Sequence, residues 1–342
     1  MKGVFIIGSG RSGTSFLQRV FDSHPDSLCL HEPDTLMRTA HPPFLPAAED
    51  HARLSPAMAD YVACLARMRA LRAVQKRPNF AKSYRGPLAQ AAREGVILAL
   101  QGLERLIGRW LPVAAMPVPD WADTKMSVPV LKSVECLGRL PLIARACPDM
   151  RIVHILRHPC GVAASLAHGV AIGKMPAPRI YQDQLGLPLA LEEGLNKAAL
   201  DTMGPWETAA WQWTLLNDWA LRQTAGCANV RVVLYDALCE RLVDEAKDLF
   251  AWCGLSWPAQ TENFLAHVLD QTRDVGGYHA LVRNPRAAAH RWRAQLTAAE
   301  KATVMAIARR SPAGRLFDAF DKEWAAGRHP ANAMPDPAKA AP

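Results

Sequence analysis

The sequence predicts an α/β protein: a three-layer, P-loop-like parallel sheet flanked by helices, with a helical insertion. Three observations carry this. Short apolar runs bounded by glycine, proline or polar residues recur at Val4–Ile7, Val128–Leu131, Ile152–Leu156 and Val230–Leu234, as buried strands do. Helical patterns stand between them, and alternating strands and helices give a parallel sheet with helices on both faces. The chain also opens strand, glycine loop, helix, strand, which is one βαβ unit.

Taken in order, Val4–Ile7 runs into the loop Gly8–Gly13. Phe16, Leu17, Val20 and Phe21 then recur at helical spacing, and His24-Pro25 stops that helix. Ser27–Leu30 reads as a second strand. Residues 36–127 read as a mostly helical insertion, proline-rich at 42, 43, 46 and 56. Its helical patterns are Met58, Val62, Leu65, Met68 and then Val96, Leu100, Leu103, Ile107, Leu111. The α/β pattern resumes with Val128–Leu131, a helix near 135–146 and the strand Ile152–Leu156. Pro159 opens the next helix, a favoured first-turn position. A Gly/Pro-rich stretch over 169–205 precedes a Trp-rich helix at 206–224. Val230–Leu234 follows, with a helix through Cys253. Thr297 and Glu300 form a capping box for a late helix. Residues 1–328 are expected to form a single domain, and the Pro/Ala-rich tail 329–342 to be disordered.

Composition narrows the function classes. A chain of 342 residues, 50% hydrophobic and 21% charged, suits one large globular α/β domain. The four apolar residues Val4–Ile7 are too few for a signal-peptide core. No run approaches the ~20 apolar residues of a spanning helix, so a cytoplasmic protein without a transmembrane segment is expected. The eight cysteines form no Cys-x-x-Cys pair, and neither a metal site nor a redox motif is expected. The net charge of +8 suits an anionic ligand. No nucleic-acid-binding signature accompanies it, so a nucleic-acid partner is not expected.

The loop Gly8-Ser9-Gly10-Arg11-Ser12-Gly13-Thr14-Ser15 has the glycine spacing of a P-loop, but Gly13-Thr14-Ser15 stands where Gly-Lys-Ser/Thr is usual. Its glycines let backbone N–H groups turn inward, and the helix behind it aims its positive end at an anion. In P-loop NTPases the missing lysine reaches the β- and γ-phosphates. A ligand with no γ-phosphate does not need it.

The sequence from Phe5 to Leu17 resembles the 5′-phosphosulfate loop of the sulfotransferase superfamily. Arg11 inside the loop, with His24-Pro25-Asp26 and His31-Glu32-Pro33, is similar to the carbohydrate and tyrosylprotein branches. A second motif from Arg151 to Ser165 resembles the superfamily's 3′-phosphate motif: a strand, Arg157 at its end, and Ser165 eight residues on. Leu131-Lys132-Ser133, Val233–Leu238 around Tyr235, and His290-Arg291-Trp292-Arg293 resemble further superfamily segments. His158 and Asp236-Ala237 depart from its usual residues. Within the insertion no superfamily motif is identified from the sequence.

The resemblance implies a sulfotransferase that uses 3′-phosphoadenosine 5′-phosphosulfate and no metal. Gly10, Arg11, Ser12, Gly13, Thr14 and Ser15 would hold the phosphosulfate; Arg157, Ser165, Tyr235 and Arg291 would hold the 3′-phosphate. Glu32 would be the catalytic base, with Arg11 and Lys132 binding the transferring group. His31 and His24 are rival bases. The acceptor, a small molecule, glycan or lipid, would meet the insertion or the 169–205 stretch. Arg67, Arg69, Arg72, Lys76, Arg77, Lys82 and Arg85 form either a solvated helix face or, with Phe80 and Tyr84, a surface that faces the donor site and receives an anionic or sugar-rich acceptor. The alternatives are a catalytically silent nucleotide-binding protein of this fold and a P-loop kinase or NTPase.

Overall fold

A computed structural model describes residues 2–37, 42–75, 79–270 and 284–326. At its centre is a five-stranded, wholly parallel sheet of order β2-β3-β1-β4-β5. The strands are β1 (Gly3–Ile7), β2 (Ser27–His31), β3 (Val128–Ser133), β4 (Met150–Leu156) and β5 (Val230–Leu234). Each expected strand is present, longer by one to two residues at some ends. β1 is central. Its helix α1 (Thr14–Asp22) leads to the edge strand β2, β3 fills the gap, and β4 and β5 extend the other side.

Side chains of β1 alternate between two cores, as a strand buried on both faces requires. Phe5 and Ile7 join Leu30, Leu131 and Ile152 under α2 (His51–Arg67), α3 (Leu71–Val74), α4 (Pro87–Ile107) and α5 (Leu140–Ala146). The insertion therefore shares the core of the sheet: Met58, Val62, Leu65 and Ile97 are buried there. Val4 and Ile6 face the other side, against Leu17, Val20 and Phe21 of α1.

α6 (Pro159–Ala171) starts on its N-terminal proline. The 169–205 stretch is less irregular than its composition suggests, holding α7 (Pro188–Glu192) and α8 (Lys197–Thr202). The Trp-rich helix is α9 (Pro205–Gln223). The helix expected from about 135 begins only at Leu140, because Ser133 Oγ accepts from the N–H groups of Glu135 and Cys136 and holds a turn there. The helix after β5 is broken at Arg241 into α10 (Tyr235–Glu240) and α11 (Leu242–Trp252). α12 (Ala259–Leu269), α13 (Pro285–His290) and α14 (Trp292–Gln295) follow. α15 (Ala298–Ala308) carries the expected capping box of Thr297 and Glu300, and α16 (Pro312–Ala325) ends the described chain. The tail 329–342 lies outside the described residues. No helix among the described residues is long and apolar enough to cross a membrane.

Candidate active site

Ligands of open parallel sheets bind beyond the carboxyl ends of the strands, and the expected residues gather there. β1 runs into the glycine loop, β2 into Glu32, β3 ends on Lys132-Ser133, β4 runs into Arg157, and β5 into Tyr235. The parallel register sets His31 beside Lys132 and Ile6 beside Lys132.

The loop is shaped for an anion. Gly13 takes φ 93° and caps α1 without any side-chain hydrogen bond, and no acidic residue stands in the first turn. The first N–H groups of the helix and its positive end are thus left for a ligand. Ser9 Oγ and Ser12 Oγ are buried with no partner. Any side chain at Gly13 would collide with the Tyr235 ring, so Tyr235 is wedged against the loop. Gly10 has open space around it.

Arg11 and Glu32 are the only non-glycine residues with left-handed backbone among the described residues, at φ 70° and 45°. Such backbone costs ~1 to 3 kcal/mol and concentrates at functional sites. Arg11 Nε donates to Ser165 Oγ at 2.9 Å, so Ser165, from α6, supports the loop arginine. Glu32 follows β2, its backbone N–H bonded to the Lys132 carbonyl at 2.7 Å.

Across the gap between β2 and β3, Lys132 Nζ donates to Glu32 Oε1 in an ion pair. Lys132 is 2% exposed. Burial pushes its ammonium below the usual lysine range, Glu32 pulls it back up, and the Arg11 charge lowers it further. His31 Nε2 lies 3.9 Å from Glu32 Oε2, and its Nδ1 meets Gln18 Oε1 at 2.9 Å. The rival base His24 is turned away, toward Ser256 Oγ at 3.2 Å.

Arg157 holds the second half together. It donates to the Arg11 carbonyl at 3.1 Å and the Ala288 carbonyl at 3.0 Å, and it lies 5.1 Å over the Tyr235 ring. Its Nε is buried without a partner. Arg291 is exposed between α13 and α14. Its neighbour Trp292 is the residue that turns inward, stacking on His158 at 4.2 Å between ring centroids and meeting Gly161 beside Arg157.

Sequence reasoning missed Trp292, although four clustered residues, His290 to Arg293, marked the segment. It also gave no part to Asp34, which is buried, accepts from Ser133 Oγ at 2.6 Å, and is raised in pKa by burial. His158, a departure from the superfamily pattern, has a structural task. Its Nδ1 accepts from the Cys160 N–H, its Nε2 bonds Asp321, and its own N–H donates to Asp236.

The described part of the basic run is largely engaged with carboxylates. Lys76 and Arg77 lie outside the described residues. Lys82 is tied to Asp22, and Arg69 and Arg85 to Asp120. Phe80 packs on Phe264, and Tyr84 Oη donates to the Ser27 carbonyl. Lys82 and Tyr84 tie the insertion to the end of α1 and the start of β2, Phe80 ties it to α12, and Arg69 and Arg85 brace it internally.

The geometry first defines a class: a parallel α/β protein with an anion cradle and a set of cations at its strand ends. The chain belongs to the sulfotransferase family, which it matches over residues 3–259. Among solved structures it is similar to the sulfotransferase domain of the Synechococcus PCC 7002 olefin synthase: 16% identity, 90% of this chain and 94% of that one, TM-score 0.44. It is similar also to sulfotransferase STF9 from Mycobacterium avium: 15% identity, 94% of this chain and 77% of that one, TM-score 0.43. A third is mouse sulfotransferase SULT7A1 complexed with PAP: 12% identity, 93% of this chain and 89% of that one, TM-score 0.41. No curated protein sequence matches the chain significantly.

Proposed function

We propose that the chain transfers a sulfuryl group from 3′-phosphoadenosine 5′-phosphosulfate to a hydroxyl or amine of an acceptor, by in-line displacement. One observation carries this reading: Glu32, Lys132 and the loop arginine Arg11 converge at the ends of β2, β3 and β1.

The residues present fit the donor. The uncapped first turn of α1, with the unpartnered hydroxyls of Ser9 and Ser12, suits a bound phosphosulfate. Gly10, Arg11, Ser12, Gly13, Thr14 and Ser15 would hold that group. Arg157, through its free Nε, would take the 3′-phosphate with Ser165, Tyr235 and Arg291. The donor supplies the sulfuryl group. Glu32 would take the acceptor's proton, which requires hydrogen-bond reach of the attacking oxygen or nitrogen. Lys132 orients Glu32 in the resting site and, with Arg11, would neutralise charge that develops on the leaving phosphate. The acceptor, a small molecule, glycan or lipid, would approach past the insertion or residues 169–205.

Incubation with radiolabelled donor and an acceptor panel tests the reading. Label transfer, or donor hydrolysis above background, is expected without magnesium. A magnesium requirement would instead favour a kinase or NTPase. Binding of adenosine 3′,5′-bisphosphate with no turnover of the donor on any acceptor would mark a silent nucleotide-binding protein.

A further inference from the structure

A polar cavity of about 50 Å³ lies between the edge strand β2, α1 and the insertion. At ~10 to 15 Å³ per water it has room for a few waters, or for one tetrahedral oxyanion. The charges around it are unbalanced. Arg19 and Lys82 share Asp22, at 2.5 and 3.0 Å. Arg69, Arg85 and Arg93 converge on Asp120, with Arg93 Nε 3.5 Å away. In these contacts five cations meet two carboxylates.

The donors are also incompletely used. Arg93 is 7% exposed, and its Nε makes no hydrogen bond. Burial and the neighbouring Arg85 charge both disfavour its protonated form. Arg85 Nε and Gln18 Nε2 are likewise buried without partners. Buried donors left unpaired are uncommon in native proteins and costly. One oxyanion in the cavity would give them an acceptor and offset the excess charge. The cavity also adjoins the proposed active site: Gln18 and His31 both line it, they are hydrogen-bonded to each other, and His31 Nε2 is 3.9 Å from Glu32.

We propose that this cavity binds an oxyanion group (phosphate, sulfate or carboxylate) carried by the acceptor, whose hydroxyl reaches Glu32 past His31. The link to the acceptor rests on the sulfotransferase reading above; the anion site itself does not.

The test uses the full chain saturated with adenosine 3′,5′-bisphosphate, so that the glycine loop is filled. Inorganic phosphate is then titrated by calorimetry into the parent and Arg93→Gln. Phosphate is expected to bind the parent, and about tenfold or more weakly to the variant, with bisphosphate affinity unchanged. Equal phosphate affinity in both proteins overturns the proposal. If R93Q does not fold, Arg93→Lys replaces it, and the parent's melting temperature must still rise with phosphate; no rise overturns the site. In the radiolabel screen the accepted compounds are expected to carry an anionic group, and R93Q to raise their KM. A neutral acceptor whose KM is unmoved by R93Q overturns the acceptor link and assigns the cavity to a free anion. Failure of the bisphosphate to bind the parent counts against the donor reading alone, and phosphate titration then judges the cavity by itself.

Discussion

Two side chains at the centre of the site sit on backbone that L-residues avoid. Arg11 at φ 70° gives a direct test of that cost. Arg11→Gly and Arg11→Ala both delete the guanidinium and its bond to Ser165, but only glycine adopts the left-handed region freely. The glycine variant is expected to be the more stable of the two by about 1 kcal/mol in urea denaturation. Equal midpoints would mean that the loop relaxes when the side chain is removed. For Glu32 the expectation is chemical. Glu32→Gln should lower turnover by ~10² to 10⁴-fold while leaving bisphosphate affinity nearly unchanged, measured by initial rates and calorimetry. At this scale the sequence was legible where a residue type sits at a strand end: Glu32, Lys132, Arg157 and Tyr235 each follow or close an apolar run. It was not legible at Arg291 and Trp292, because which of two adjacent residues turns inward depends on how a short helix meets α6.

Elements carry their own expectations. The edge strand β2 is sealed by the insertion through Lys82. Its ammonium is buried among the Asp22 carboxylate, the Asp22 and His24 carbonyls and Ser27 Oγ. Lys82→Met removes this shared cation, leaving Arg19 as the remaining partner of the Asp22 carboxylate, and should cost about 2 kcal/mol in thermal or urea unfolding. A loss near zero would show that the insertion is held by its apolar face alone. In β4, His154 is fully buried, bonds Asn217 at 3.1 Å, and is held by burial at a pKa of about 4 against 6.5 in the unfolded chain. Between those values acid protonates only the unfolded chain. The stabilisation is complete above pH 6.5 and is lost as pH falls toward 4, about 3 kcal/mol in all. His154→Gln, which can still donate to Asn217, should flatten that part of the stability–pH curve. Strands and the α1, α6 and α9 helices could be read from periodicity. The break at Arg241 and the late start of α5 could not, since both are set by local turns that periodicity does not register. The basic run was legible only as charge, because a sequence does not reveal which acids lie across space; Asp22 and Asp120 take up part of it.

The whole molecule brings Arg11, Arg157, the Ala288 carbonyl and Trp292 together from segments far apart in the chain. A ligand that bridges them should therefore act as a global clamp. Adenosine 3′,5′-bisphosphate at ~100 times its Kd should add about 2.7 kcal/mol to stability, seen as a rise in melting temperature. AMP at the same concentration should add much less, because Arg157 then has no 3′-phosphate. Matching shifts for the two nucleotides would remove Arg157 from the donor site. The same long-range assembly has a consequence for synthesis. β1 is made first, yet its two neighbours in the sheet arrive with Val130 and Arg151, which pair with Val4. At ~5 to 20 residues per second, Val4 to Ile7 leave the ribosome roughly 7 to 30 s before their second partner strand exists. Closing so long a loop also slows folding after release. The buried centre of the finished protein is thus, during translation, an exposed sticky segment, and refolding yield should fall more steeply with protein concentration than the stability of the native state alone would suggest.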